Sequence, residues 1–466
     1  MSPAISTLTS TSIYMALLKS SLLIALTVVA TASLSAQTSA SPPPPPVRLS
    51  FAGAVREATG AAPDTAPPPP IVEIAGFRTD AASARVRQAR SGLLPNLSLL
   101  GSWANRDFNS KAQGISFPGV PTVIGPFNAY DGRVRFSETL FDFSNLGRVN
   151  AAKSQVTAAN ADRSAAVETS AQNVALTYVR AARAQAVVAA RQADSVLAAE
   201  LVGLAVAQEQ AGVSASIDVT RAKTQLADAA GRLVVAANQL DRAKIDLARA
   251  LGRDPSTSIA LADTLSAQLG AADVPADRNA AVAQAVAVRP DLAAELARGT
   301  AARTAASAIS AERLPRLEVE ADYGVSGVRM PDVVGTRQVA VQVTLPILDG
   351  FRREGRLAEQ TAVARESDVR ARDLRQQVAA DVDGALLDLH SAAAQQMIAV
   401  ERLQLAAQEV SEARARFKAG VAGNIEVINA QSSLLRARDA DIDARFAAVS
   451  ARIALARSVG AARTLH

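Results

Sequence analysis

Although the chain of 466 residues contains 21 prolines, none lies between Pro126 and Pro255 and none follows Pro346. Proline inside a helix removes a hydrogen bond and clashes with the preceding turn, at ~3 kcal/mol or more. Both tracts are therefore free to be helical throughout. Glycine punctuates them at one spacing: Gly147, Gly212 and Gly252 recur as Gly355, Gly420 and Gly460, each 208 positions on. Leu94-Pro95 recurs as Leu314-Pro315, and Pro70 as Pro290, each 220 positions on. Self-similarity this regular indicates an internal two-fold repeat. The fall in offset from 220 to 208 assigns about twelve extra residues to the loop between the strands of the first half.

Gly147 to Gly212 and Gly355 to Gly420 each span 65 residues, enough for a helix of ~98 Å at 1.5 Å per residue. Helices so far beyond the usual ~11 residues need partners along their length. The following segments supply them. Leu226, Ala230, Leu233, Ala237, Leu240, Lys244, Leu247 and Leu251 alternate steps of four and three, and Ile425, Ile428, Ser432, Leu435, Asp439, Ile442, Phe446, Val449, Ile453 and Ala456 keep similar spacing. This is heptad-like packing, and an aromatic content of only 3% suits thin, alanine-lined seams. The turns "AGVSASIDV" (211–219) and "AGVAGNIEV" (419–427) match as well. Gly212 and Gly420 suit left-handed helix ends, Ser216 and Asn424 suit N-caps, and Asp218 and Glu426 then sit near the positive end of the next helix. Two antiparallel helical hairpins result.

Strand-like segments precede each hairpin. In "LEVEADY" (317–323) Leu317, Val319, Ala321 and Tyr323 alternate with Glu318, Glu320 and Asp322. Val339, Val341, Val343 and Leu345 alternate with Gln338, Ala340, Gln342 and Thr344. In the first half Leu97, Leu99, Gly101 and Trp103 share one face, and Val134 and Phe136 alternate with Arg133, Arg135 and Ser137. Such alternation marks a membrane barrel, though a surface sheet gives the same pattern. Trp103, Phe108, Phe117, Phe127, Tyr130, Phe136, Phe141 and Phe143 crowd into residues 103–143. They read either as an interfacial girdle or as a small core between strands and helices. Four strands are too few to close a membrane barrel, since the smallest have ~8 and lipid tolerates no open edge. The chain must then oligomerise, and three copies would give twelve strands.

Other classes are narrowed by count. There is no cysteine, and His390 and His466 are the two histidines, so thiol catalysis, disulfides and Cys/His metal sites are excluded. His390 reads as a polar position on a long helix. No cofactor and no nucleic-acid partner are expected: the net charge is +5, but the charges alternate in sign along the helices, as on a solvated face. Residues 1–36 read as an export signal, with Lys19 before the apolar run Leu22–Ala32 and cleavage near Ala32 or Ala36. An N-terminal lipid anchor on cysteine is not expected. Residues 37–70, with "PPPPP" at 42–46 and "APPPP" at 66–70, read as a Pro-rich, partly disordered lead-in, and Pro70 as a helix start. The remaining plan is a first repeat over 71–255, a linker with a short helix over 256–289, a second repeat over 290–460 and a tail over 461–466.

Taken together, "LLPNLSL", "RLPRLEV", "SETLFDFSNLGRVNAAK", the two hairpin turns, "RALGRDP" and "VRPDL" resemble the TolC-like outer-membrane efflux protein family over roughly residues 71–460. The resemblance implies a mixed α/β, mostly α membrane protein: a trimeric outer-membrane β-barrel, four strands per chain and twelve in total, continued by a long α-helical barrel in the periplasm. It implies a homotrimer in contact with outer-membrane lipid, partnered by a periplasmic adaptor and an inner-membrane transporter of RND or ABC type. The expected function is a passive exit duct for efflux or type I secretion, and no enzyme; the alternative class is a periplasmic coiled-coil adaptor or structural protein. Glu426 matches an acidic position at the periplasmic mouth, Asn429 stands where a second acid would be, and Asp218 is the first-half counterpart, with its helix-end role equally open. Glu318, Glu320, Asp322, Arg133 and Arg135 are the expected lumen residues; Trp103, Tyr130, Phe136, Phe141, Phe143 and Tyr323 the interface aromatics. Phe141 and Phe143 would mark the lower membrane boundary, with Ser144 or Asn145 starting the helix.

Overall fold

The computed structural model describes residues 46–61, 67–114, 118–119, 121–266, 268–275 and 277–466. The expected signal at 1–36 and Phe117 lie outside them. In chain order the elements are β1 (Val47–Leu49), α1 (Phe51–Ala58), α2 (Pro70–Ser91), β2 (Asn96–Asn109), β3 (Val123–Phe141), α3 (Phe143–Gln210), α4 (Ser216–Ala250), β4 (Ile259–Leu261), α5 (Arg278–Val288), α6 (Pro290–Ala311), β5 (Arg316–Gly327), β6 (Val334–Thr344), α7 (Arg352–Lys418) and α8 (Asn424–Ser458). Gly212 (φ 71°) and Gly420 (φ 73°) end the long helices in the left-handed conformation, which costs a residue without Cβ little. Among the described residues no helix is long and apolar enough to cross a membrane.

Two long helices organise the rest. Next to the sheet, α2, α3, α6 and α7 lie side by side; farther along, α4 packs on α3 and α8 packs on both α3 and α7. The end of α4 abuts the start of α2, where Gly252 approaches Pro70, and the end of α8 abuts α6, where Gly460 approaches Arg289. At this level α3 is covered on one side by α1: Phe51 and Val55 pack on Val174, Tyr178 and Val179, all almost fully buried. The Tyr178 hydroxyl donates to the Leu49 carbonyl at 3.0 Å and contacts Asp263 at 3.2 Å. Burial pushes its pKa up to about 12. A second core at the far end joins Leu201 and Ala205 of α3, Val219 of α4, Phe417 of α7 and Val427 of α8.

Several details differ from expectation. The buried seam of α4 runs through Ala222, Ala229, Ala236 and Leu247; Ala230 and Ala237 are exposed. Leucines at the expected spacing left the small position of the heptad undetermined by one residue. Ser216 and Asn424 are the first residues of α4 and α8, preceded by Ala215 and Gly423, and no side chain caps either start. The segment at 47–58, expected within a partly disordered lead-in, is a strand and a helix, because Leu49, Phe51 and Val55 find the apolar face of α3 and β1 pairs in parallel with β4. The residues at 461–466 are likewise held: Ala462 and Leu465 are buried, and buried Glu168 accepts from the Ala462 amide at 2.9 Å and from Arg463 at 2.5 Å. Part of the mixed charge on the helices is also internal. Arg191 and Asp194 of α3 are nearly buried and pair with Asp439 and Arg438 of α8.

The sheet has the order β2-β3-β5-β6, antiparallel throughout. Its β3 spans 19 residues, well beyond the alternation visible at 133–137. The extra length of the first half is thus shared between the strands and the loop at 110–122.

A two-faced sheet, a helix joint and paired hairpin turns

The register decides which side chains share a face. Phe136 lies opposite Leu97 and Ala321, Val134 opposite Leu99 and Tyr323, Tyr130 opposite Trp103, and Val341 opposite Val319. These form one apolar surface. It is bare in the single chain: Leu99 is 82%, Val339 73% and Trp103 64% exposed. Arg133, Arg135, Glu318, Glu320 and Asp322 project from the opposite surface, with Gln338 and Gln342 across the β5–β6 pair. Arg133 donates to both oxygens of Asp131 at 2.8 and 2.5 Å and to Asp322 at 2.9 Å, while Glu318 lies 3.4 Å from Arg316. Gly324 makes room for this cluster, since a Cβ there would sit 2.3 Å from that of Arg133. Asp131 was not among the expected polar residues. Extending the same two-residue alternation one step upstream would have found it.

The aromatics divide accordingly. Trp103, Tyr130, Phe136, Phe141 and Tyr323 fall on the apolar surface. A bulge between Thr139 and Phe141 returns Phe141 to register with Leu317; without it Leu140 would take that place. Phe127 is on the polar surface, with the Arg106 guanidinium 5.7 Å from its ring centroid. Between Phe141 and Tyr130 β3 rises about 33 Å along the strand, or ~25 Å at the ~40° tilt of barrel strands, which matches the height of a membrane barrel's apolar band.

Phe141 and Phe143 flank the joint with rings edge to face at 5.2 Å. The helix begins at Phe143, one or two residues before the expected Ser144 or Asn145, because Asp142 caps it by accepting from both of their amides at 2.8 and 3.3 Å. In the second half the strand ends at Thr344 and Phe351, at φ 64°, precedes α7. The two joints are therefore built differently. Glu312 at the end of α6 ties them together, holding Arg148 of α3 at 2.8 Å and Arg356 of α7 at 3.0 Å.

At the far end the hairpin turns meet. Asp218 and Glu426 lie in the first turns of α4 and α8 as expected. Asp218 is 3.5 Å from Arg221 of its own helix, Glu426 is 3.3 Å from Arg416 at the end of α7, and Asn429 is exposed. The link between the turns is Asn424: fully buried, it donates from Nδ2 to the Asp218 carbonyl at 2.7 Å. Its Oδ1 finds no partner. Gln208 adds donations to the Phe417 and Lys418 carbonyls at 3.0 and 3.3 Å. The asparagine's position in the turn suggested a cap and gave no sign of this hydrogen bond across 206 residues.

Known proteins share this fold. The chain is 26% identical over 368 residues to Protein CyaE of Bordetella pertussis, a match covering 78% of this chain and 75% of CyaE. The Campylobacter jejuni CmeC outer membrane channel superposes with a TM-score of 0.74 at 16% identity, over 88% of this chain and 86% of that one. The Vibrio cholerae outer membrane protein VceC does so with a TM-score of 0.71 at 21% identity, over 88% and 96%. Residues 70–253 and 281–461 match the outer membrane efflux protein family, which takes in both hairpins, the sheet and the helices between them. The chain belongs to the outer membrane efflux protein family.

Proposed function

We propose that this chain is one protomer of a homotrimeric exit duct, whose three sheets close a twelve-stranded barrel in the outer membrane and whose hairpins continue as an α-helical tunnel through the periplasm. The carrying observation is the sheet, which pairs a bare apolar surface with a polar surface rich in ion pairs and leaves β2 and β6 as open edges. Unpaired backbone cannot face lipid, so those edges require neighbours, and a second and third copy supply them. The apolar surface then meets lipid and Arg133, Arg135, Glu318, Glu320 and Asp322 line the lumen. The glycine spacing supports descent of both halves from one strand–hairpin unit.

In this reading the duct is passive. A periplasmic adaptor and an inner-membrane transporter of RND or ABC type supply the energy, for drug efflux or for type I secretion. Glu426 and Asp218 stand at the periplasmic mouth, one acid per hairpin turn, and Asn424 holds the two turns together. Deleting the gene in a strain with its pump intact and no paralogue should sensitise the cell to exported compounds or stop secretion of one substrate. The purified protein should need detergent and run as a trimer that conducts in planar bilayers. Unchanged susceptibility and secretion, or a monomer that is soluble without detergent, would overturn the reading.

A further inference from the structure

On the flank of α3 turned away from α1, a cavity of ≈ 1030 Å³ opens between α3 and α4 where α2 begins. Arg180 and Arg183 of α3 and Arg242 and Arg249 of α4 line it, against a single carboxylate, Asp246. Arg183 is held by Asp443 at 2.6 Å, but among the described residues Arg180, Arg242 and Arg249 have no carboxylate within ion-pair distance. Three of the four arginines lining this concavity thus carry charge that no carboxylate of the described residues neutralises, beside one aspartate. Ser170 also lines the cavity, 3% exposed, with its Oγ lacking any hydrogen-bond partner.

We infer that this groove is a binding site for anionic cargo, and that it recognises solutes or segments carrying several carboxylate or phosphate groups. This rests on the exit-duct reading and adds to it that the side of α3 away from α1 faces the tunnel. The cavity is too large for a simple inorganic anion and is at the upper end of pockets for drug-sized ligands, ~300–1,000 Å³. Arg242 and Arg249 are two turns apart, ~10 Å along the axis, which suits ligands with charges spread along their length. Guanidinium groups offer forked donors that match carboxylate and phosphate oxygens.

The test is binding of fluorescent decaglutamate and, separately, of inositol hexakisphosphate to the full chain purified in detergent. The wild type should bind with an affinity that falls as salt rises. R180Q/R242Q/R249Q should bind about tenfold or more weakly, and R180K/R242K/R249K, which keeps the charge, should recover most of the loss. Preference for decaglutamate would assign the groove to acidic polypeptide, and preference for the phosphate to small polyanions. Equal binding by wild type and the glutamine variant, or none by wild type at low salt, overturns the inference. Bilayer conductance of the same samples is a separate readout: channels without anion binding sink the groove alone, whereas absence of channels sinks the exit duct.

Discussion

Gly147 and Gly355 occupy equivalent places in the two halves, near the start of each long helix, yet substituting them should move stability in opposite directions. A Cβ on Gly147 would lie 2.6 Å from the Cβ and 2.7 Å from the Cα of Ala308. Non-bonded carbons ordinarily sit ~3.5–4.0 Å apart, so Gly147→Ala must push α3 and α6 apart by about 1 Å. Overpacking of this kind costs about 1–3 kcal/mol, offset by about 0.5–1 kcal/mol of helix propensity. The net is a destabilisation of up to about 2.5 kcal/mol. At Gly355 a Cβ meets nothing within 4 Å, so Gly355→Ala keeps only the propensity gain of about 0.5–1 kcal/mol. Thermal unfolding of each variant in detergent, followed by helical circular dichroism, should place Gly147→Ala below wild type and Gly355→Ala at or above it. Adding Ala308→Gly should restore only part of the loss, because the new methyl would still press on the α6 backbone. The reasoning fails if Gly147→Ala is as stable as wild type, or if Gly355→Ala loses as much.

Tyr178→Phe should cost about 1 kcal/mol by removing one of the two donors to the Leu49 carbonyl, which keeps the Ala262 amide at 2.9 Å. Because burial raises this phenol from its ordinary value near 10 to about 12, its protonated form stabilises the fold fully below pH ~10, and that contribution is lost between pH ~10 and ~12, up to about 2.7 kcal/mol. Alkaline unfolding of wild type should therefore steepen over that interval, and Tyr178→Phe should lack the extra slope. Glu168→Gln removes the charge that holds Ala462 and Arg463, with an expected loss of about 3 kcal/mol and digestion of residues 461–466 by carboxypeptidase; resistance equal to wild type would refute the clamp. Asn424→Ala releases the Asp218 carbonyl from the second hairpin and should raise single-channel conductance, while Glu426→Gln, whose partner Arg416 is largely exposed, should change stability by less than about 1 kcal/mol. Identical conductance in Asn424→Ala would remove its role as the link.

How much the sequence discloses depends on whether a residue acts through a period or through a distant partner. The strand faces were legible because a two-residue alternation has only two outcomes, and Tyr323 or Glu320 could not change sides without moving every neighbour. Helix lengths were legible from the absence of proline and from Gly212 and Gly420. Asn424, Glu168 and Tyr178 were not, since each gains its role from atoms 85 to 295 positions away and no local pattern encodes such a meeting. The α4 seam failed for a different reason: Ala229-Ala230 and Ala236-Ala237 are adjacent pairs, so composition does not mark which one faces inward.

That abundance of alanine explains why charge appears inside the helical body. Seams lined by Ala222, Ala229 and Ala236 bury little apolar area per turn, and a stabilisation of ~25 cal/mol per Å² leaves thin hydrophobic support for helices of this length. Between α3 and α8 the structure adds Arg191–Asp439 and Asp194–Arg438. Pairs this shielded gain little net stability over apolar replacements but strongly penalise misregister, because sliding either helix by one turn strands a half-buried charge. Alanine lets the helices approach closely at any register; the ion pairs select one. On this argument Asp439→Leu should leave overall stability nearly unchanged when Arg191 is also made Leu, whereas Asp439→Leu alone should cost about 1.5–3 kcal/mol, since Arg191 then keeps only Asp194 at 3.2 Å. Equal losses from the single and double variants would show that the pairs act as ordinary surface charges and that register is set elsewhere.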